Sequence, residues 1–107
     1  MQQLTPVELA DWLSRTEGEK PLLLDVREGW EFSHCHIKDS VHVPMQAVPG
    51  HIADWEEGAP IVAICHHGAR SLQVAYFLEQ HGFQQVYNLS GGVDAWARTV
   101  DPAMPTY

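Results

Sequence analysis

Two short apolar runs in this chain do not alternate with polar residues. They are Leu22–Val26 (Leu-Leu-Leu-Asp-Val) and Ile61–Ile64 (Ile-Val-Ala-Ile). A strand with one face in water alternates apolar and polar side chains, whereas a strand covered on both faces does not, and such strands are typical of parallel sheets. The two runs therefore predict parallel strands in the centre of the fold.

Helix and strand signals alternate along the rest of the chain. Thr5-Pro6-Val7-Glu8 has the pattern of a capping box with proline at the first helical position, and it predicts a helix that ends near Gly18. A weaker strand is expected at Ser40–Val43 and a further strand at Gln85–Leu89. Further helices are expected at Trp30–Cys35, His51–Glu56, Arg70–Gln80 and after Gly91-Gly92. This order predicts an α/β domain with a mainly parallel sheet. Residues 100–107, which include two prolines, are expected to form an extended C-terminal tail.

Length and charge limit the classes of protein to which this chain can belong. Its 107 residues show no interior linker or repeat, so we expect a single domain over residues 1–107. Fourteen acidic against six basic residues give a formal charge of −8, which repels phosphate backbones and argues against nucleic-acid binding. No apolar run is long enough to cross a membrane. The two cysteines are too few for a disulfide framework and the N-terminus lacks signal-peptide features, so the expected compartment is the cytoplasm.

The segment from Ile61 to Ser71 carries the clearest chemical signal. Cys65 follows a buried strand directly, at the edge where open α/β sheets bind their ligands. The loop His66-His67-Gly68-Ala69 then leads into the helix near Arg70. Backbone N–H groups in such a turn, the helix dipole and the guanidinium of Arg70 all favour negative charge. The pattern predicts a nucleophilic thiolate at Cys65 beside an anion site; without this loop, a cysteine here would be interpreted as a small core residue.

Four motifs together resemble the single-domain rhodaneses, the thiosulfate-type sulfurtransferases. In order along the chain they are Leu24–Glu28 with Trp30–Phe32, His36-Ile37 with Val43-Pro44, Cys65–Ser71, and Gly91–Trp96. The resemblance covers nearly the whole chain. It implies a rhodanese-like fold with a central five-stranded sheet and helices on both faces, and it implies a short first strand near Gln2–Leu4.

The resemblance also implies a reaction. The Cys65 thiolate would take the outer sulfur of thiosulfate or a similar donor, hold it as a persulfide, and pass it to a thiophilic acceptor, in two half-reactions. No cofactor and no metal would be needed, and the acceptor could be a small thiol or a protein. Related phosphatases place five residues between cysteine and arginine, whereas only four lie between Cys65 and Arg70, which disfavours phosphatase activity. A sulfur-relay carrier and a non-catalytic interaction module of the same fold remain as alternatives.

The roles of the neighbouring residues stay open at the level of the sequence. Asp25 and Arg27 end a buried strand, so they are expected to support the site, at its rim or by pairing with neighbours. His66 and His67 either donate to the substrate and tune the charge of the loop, or point into solvent while only their backbone N–H groups act. Ser71 either donates to the persulfide or helps to satisfy the first helical turn. His34-Cys35-His36 is not interpreted as a metal site, since adjacent residues rarely face one ion, and Cys35 is either a resolving thiol or a small core residue.

Overall fold

A five-stranded parallel sheet forms the centre of the computed structural model, which describes all residues 1–107. The strands are β1 (Gln2–Leu4), β2 (Leu22–Asp25), β3 (Val41–His42), β4 (Ile61–Ile64) and β5 (Val86–Leu89). Their order in the sheet is β1-β5-β4-β2-β3, and every neighbouring pair is parallel. This arrangement confirms the predicted rhodanese-like α/β fold, including the short first strand.

Four α-helices cover the sheet: α1 (Pro6–Ser14), α2 (Gly29–His34), α3 (Ala69–Gln80) and α4 (Gly92–Thr99). The capping box predicted for α1 is present, because Thr5 Oγ1 accepts from the Glu8 N–H and Glu8 Oε1 accepts from the Thr5 N–H. The expected helix at His51–Glu56 was wrong in extent and type. The chain instead forms two 3-10 helices, Met45–Gly50 and Ile52–Asp54, and Pro49 lies inside the first.

Alternate side chains of the central strands point to two separate apolar clusters, one on each face. On one face Leu24, Ile61 and Ala63 pack with Val74 and Leu78 of α3. On the other face the side chains of β2, β4 and β5 pack against helices α1 and α4, through Leu23, Val62, Ile64, Leu89, Leu9, Val93 and Trp96. Burial on both faces is why the strands β2 and β4 lack polar alternation.

The C-terminal segment is less extended than expected. A turn forms at Pro102–Ala103, and Met104 is buried in the cluster that α4 covers. The turn directs the last residues back towards the carboxyl ends of the strands, where Tyr107 contacts Arg27 after β2, Glu31 of α2 and His66 in the loop after β4. No helix of the structure has the length and apolar character needed to span a bilayer.

Candidate active site

The candidate site lies at the carboxyl edge of the sheet, where β2, β4 and β5 end side by side. Cys65 is the first residue after β4, and its side chain is almost completely enclosed, with the residue 1% exposed. The loop of residues 65–68 connects it to α3, and Gly68 is the N-cap of that helix. The predicted strand–loop–helix unit around the cysteine is therefore present.

Two hydrogen-bond donors face the Cys65 sulfur. The Gly68 N–H lies 3.0 Å and the Ser71 hydroxyl 3.2 Å from Sγ. Gly68 can turn its N–H inward because it has a φ of +103°, a left-handed conformation that favours glycine. A sulfur that carries negative charge is stabilised by donors of this kind, so the loop is built to hold an anion at Sγ.

The start of helix α4 holds the other side of the loop. Its N–H groups at Val93 and Asp94 donate to the carbonyl oxygens of Cys65 and His66, at 2.9 and 3.1 Å. Gly92 has a φ of +61°, and a Cβ there would lie 2.3 Å from both of those oxygens. A glycine is therefore needed as the first residue of α4, because the helix contacts the loop that carries the cysteine so closely there.

Arg70 is bound to a carboxylate that sequence analysis did not select. Its Nη1 and Nη2 donate to the two oxygens of Glu31 at 2.7 and 2.9 Å. Glu31 is buried in α2, and the hydrogen bonds from Arg70 are the main reason that the pKa of its carboxyl falls to about 2. The same bonds raise the pKa of the Arg70 guanidinium above its already high usual value. Two of the five N–H donors of Arg70 are used by Glu31, which leaves three for a substrate.

Asp25 and Arg27 form a second ion pair, which is fully buried. Arg27 Nη2 lies 2.7 Å from Asp25 Oδ2, and its Nε donates to Oδ1 at 2.9 Å. Burial opposes the charge of Arg27, but the hydrogen bonds that the guanidinium donates to Asp25 and Tyr107 outweigh it and raise the pKa of Arg27. The sequence left open whether these residues lie at the rim of the site or pair with neighbours, and the structure shows that they pair with each other.

Tyr107 joins the two ion pairs. Its hydroxyl accepts from Arg27 Nη1 at 2.9 Å and donates to Glu31 Oε1 at 2.8 Å, and its ring stacks on the imidazole of His66 with centroids 3.9 Å apart. Burial, together with the bond to Glu31, raises the pKa of the phenol to about 12, so the hydroxyl keeps its proton at neutral pH. The result is a continuous hydrogen-bonded chain from Asp25 to Arg70.

The two loop histidines differ in their surroundings. His67 is exposed, whereas His66 lies between the rings of His67 and Tyr107 and its Nε2 is buried without a hydrogen-bond partner. Burial is the largest cause that lowers the pKa of the His66 imidazole, and the neighbouring His67 lowers it further. Of the two alternatives that the sequence left open, the one in which the side chains point into solvent fits His67 but not His66.

One group of possible metal ligands adjoins the loop. His66, His67 and Asp94 offer ligand atoms within 4.8 Å of one another. The Asp94 carboxylate, however, already binds Nε of Arg98 at 3.0 Å. The His34-Cys35-His36 segment does not contribute to this group, and the prediction that the chemistry needs no metal stays a prediction.

The structure thus brings Cys65, Gly68 and Ser71 together at one sulfur, while Ala69 is exposed at the start of α3. Cys35 is buried beside the Asp25–Arg27 pair, where its carbonyl accepts from Arg27 Nη2 at 2.6 Å. Three residues of the site were not predicted from the sequence: Glu31, Tyr107, and Asn88, whose Oδ1 accepts a hydrogen bond from the Ser71 hydroxyl. Glu31 lay within a recognised motif but had no visible partner, and the other two meet the site only through contacts between distant parts of the chain.

Comparison with known proteins agrees with this architecture. The model of the rhodanese-like domain family matches residues 5–99. The thiosulfate sulfurtransferase GlpE of Haemophilus influenzae strain Rd is 32% identical over 108 aligned positions, which cover 99% of this chain and 97% of that protein. GlpE of Actinobacillus pleuropneumoniae serotype 3 is 32% identical over 91 positions, which cover 85% of this chain and 84% of that protein.

Solved structures show the same fold. The crystal structure of a rhodanese-like domain protein from Staphylococcus aureus superposes with a TM-score of 0.84 at 25% identity, and covers 100% of this chain and 99% of that one. A rhodanese-related protein from Thermoplasma volcanium has a TM-score of 0.80 at 24% identity, with 98% and 96% of the two chains covered, and supports the fold alone. The family model spans strands β2 to β5 and the cysteine loop, so the chain belongs to the rhodanese-like domain family and is a relative of the GlpE thiosulfate sulfurtransferases.

Proposed function

We propose that this protein is a sulfurtransferase that carries sulfane sulfur as a persulfide on Cys65. The single observation that supports it most is the pair of donors at the sulfur, the Gly68 N–H and the Ser71 hydroxyl. Both lie inside a loop whose outer side is held by α4, so they are already in place before a substrate arrives. The GlpE relatives are named thiosulfate sulfurtransferases, which makes thiosulfate the first donor to test.

The first half-reaction transfers sulfur to the protein. A lone pair of the Cys65 thiolate attacks the outer sulfur of thiosulfate, a new S–S bond forms, and the S–S bond of the donor breaks with its electron pair leaving on sulfite. The Gly68 and Ser71 donors stabilise the sulfur anion that reacts. The three free N–H groups of Arg70 are available for the sulfonate oxygens of the donor, in a protein whose charge of −8 otherwise repels anions.

The second half-reaction returns the cysteine. A thiophilic acceptor attacks the outer sulfur of the persulfide and leaves Cys65 as a thiolate. Cyanide serves in the assay, and a small thiol or a protein thiol is the acceptor class proposed for the cell. The residues named supply charge stabilisation and positioning, so the proposal includes neither a cofactor nor a metal.

Steady-state kinetics with thiosulfate and cyanide test this function. A persulfide intermediate predicts ping-pong behaviour, in which double-reciprocal plots at several fixed cyanide concentrations are parallel. Intersecting lines would show that both substrates bind together and would contradict a persulfide formed before the acceptor enters. Absence of turnover with thiosulfate and with organic persulfides would favour the interaction module.

A sulfur-relay carrier is the second candidate. It uses the same chemistry at Cys65 but gives the sulfur to a protein. Slow turnover with small acceptors, together with capture of one protein as a mixed disulfide with Cys65, would favour the relay.

A further inference from the structure

The hydroxyl of Ser71 faces two acceptors but has one proton. Its Oγ lies 3.2 Å from the Cys65 sulfur and within hydrogen-bond distance of Oδ1 of Asn88. All three residues are buried, with Ser71 at 0% and Asn88 at 2% exposure. Bulk water therefore does not supply a second donor. When the Ser71 hydroxyl donates to one of the two acceptors, the other acceptor loses that hydrogen bond.

The orientation of the Asn88 amide is fixed by its other neighbours. Its Nδ2 donates to the carbonyl oxygen of Gly68 at 3.1 Å and to Gln3 Oε1 at 3.1 Å. A carbonyl oxygen accepts only, so the atom that faces Gly68 must be the NH₂ group and the atom that faces Ser71 must be Oδ1. An amide oxygen has no proton to donate, and Ser71 must be the donor in that contact.

The proton of Ser71 therefore has a different best partner in each state of Cys65. While Cys65 is a thiolate, a bond from Ser71 to Sγ is charge-assisted, and Oδ1 of Asn88 is left buried without a partner. Once a sulfur has been added, the negative charge moves to the outer sulfur and Sγ becomes a neutral bridging atom. Ser71 can then turn back to Asn88, and both buried groups are satisfied.

We propose that Asn88 is a positioning residue that acts through Ser71 and favours the persulfide of Cys65 over the free thiolate. The inference rests on the proposed function, since it concerns the same intermediate. The hydroxyl only rotates, and no proton leaves Ser71. The loading step remains Cys65 thiolate plus thiosulfate giving Cys65 persulfide plus sulfite, with three negative charges on each side.

The loading equilibrium tests the proposal directly. We would mix each protein with fixed ratios of thiosulfate to sulfite and measure the loaded fraction by intact-mass spectrometry. Asn88→Leu should lower the equilibrium constant for loading about fivefold to tenfold, the factor that one hydrogen bond is worth. Because the substitution also removes the bond to the Gly68 carbonyl, the same change is made in a Ser71→Ala background, where it should alter the constant by less than about twofold. Equal losses in both backgrounds, or no loss in either, would overturn the proposal.

A second measurement does not depend on sulfur transfer. Oδ1 of Asn88 competes with the thiolate for Ser71, so its removal should favour the thiolate over the thiol as well. Asn88→Leu should raise the rate of Cys65 alkylation by iodoacetamide at pH 6 about fivefold, and the effect should vanish in Ser71→Ala. Peptide mass spectrometry distinguishes Cys65 from Cys35. An unchanged or slower alkylation rate in Asn88→Leu would contradict the role proposed for Asn88, even if the wild type carries no persulfide. A faster alkylation rate, in a protein that thiosulfate does not load, would reject the proposed function but not the role of Asn88.

Discussion

At the scale of single residues, Arg70 is the ion-pair partner of Glu31 and the residue proposed to bind the anionic end of the donor. Two of its N–H groups hold Glu31, and its side chain remains 37% exposed at the start of α3. Its position after the cysteine loop was the only basis for predicting that Arg70 belongs to the anion site. The buried carboxylate that orients it was invisible there, since Glu31 lies 39 residues earlier in the chain.

Substitution of Arg70 tests its proposed contact with the donor. A charged hydrogen bond is worth about 1.5–3 kcal/mol, so Arg70→Ala should lower kcat/KM for thiosulfate roughly 10- to 100-fold. Arg70→Lys keeps the charge but loses the planar arrangement of N–H donors, so its kcat/KM should lie between those of the wild type and Arg70→Ala. An uncharged persulfide donor should be affected less than thiosulfate. Equal losses with both donors would mean that Arg70 acts on the shape of the loop instead.

Cys35 should be dispensable for turnover. It is buried at the C-terminus of α2, and its contact with Arg27 runs mainly through its backbone carbonyl, which a substitution retains. Cys35→Ala should therefore keep most of the activity measured under reducing conditions. A loss as large as that of Cys65→Ser would restore the resolving-thiol interpretation.

At the scale of elements, the junction of α4 with the loop after β4 fixes the site. Two N–H groups at the start of the helix bind the carbonyls of Cys65 and His66, and Gly92 provides the space for that contact. The helix itself packs on the sheet through Val93 and Trp96. The position of Cys65 thus depends on a helix that begins 27 residues further along the chain.

Substitution of Gly92 should disturb this junction. Gly92→Ala combines a strained φ of +61° with a Cβ 2.3 Å from two backbone oxygens, so it should lower the free energy of unfolding by about 2 kcal/mol or more. The specific activity of the protein that remains folded should also fall, because the loop must move. Gly58→Ala is the matched control, since nothing lies within 4 Å of a Cβ there, and it should change stability by no more than about 0.5 kcal/mol. Similar unfolding curves for both variants would contradict the account of the junction.

Local sequence signals predicted the elements that depend on local chemistry. The capping box of α1, the strands β2 and β4 and the turn at Cys65 were all visible, because caps and buried strands have distinct patterns. Strand β1 was expected only from the family resemblance, since Gln2–Leu4 is too short and polar for a propensity signal. The helix predicted at residues 51–56 was wrong because the apolar spacing of this segment does not distinguish a 3-10 helix from an α-helix. Asn88 and Tyr107 act through contacts that no local pattern specifies.

At the scale of the whole molecule, one chain of polar contacts connects distant segments across the carboxyl edge of the sheet. It runs from Asp25 to Arg27, Tyr107, Glu31 and Arg70, so it joins β2, the C-terminal segment, α2 and α3. Two carboxylates balance two guanidiniums, and the chain is neutral overall. Such a network specifies how these segments dock, because removal of one member leaves a buried charge unpaired.

The acid stability of the protein should depend on this network. The pKa of Glu31 falls from 4.5 in the unfolded chain to about 2 in the fold, so its contribution is fully present above pH 4.5 and is lost as the pH falls towards 2. The free energy of unfolding lost in acid is about 2–3 kcal/mol, a value reduced because solvent screens the partly exposed Arg70. Chemical denaturation at pH 6 and pH 2.5 should show a smaller acid-dependent loss for Glu31→Gln than for the wild type. The control Glu17→Gln, at an exposed position, should retain the wild-type loss; an equal loss in Glu31→Gln would reject this role of Glu31.

Cys65 is proposed to carry the transferred sulfur, and intact-mass spectrometry of the purified protein detects that sulfur directly. After treatment with thiosulfate the wild type should gain the mass of one sulfur atom, and cyanide should remove that mass and release thiocyanate. Cys65→Ser should gain nothing, whereas Cys35→Ala should behave as the wild type does. A sulfur adduct on Cys65→Ser, or continued turnover of thiosulfate and cyanide by that variant, would contradict the account.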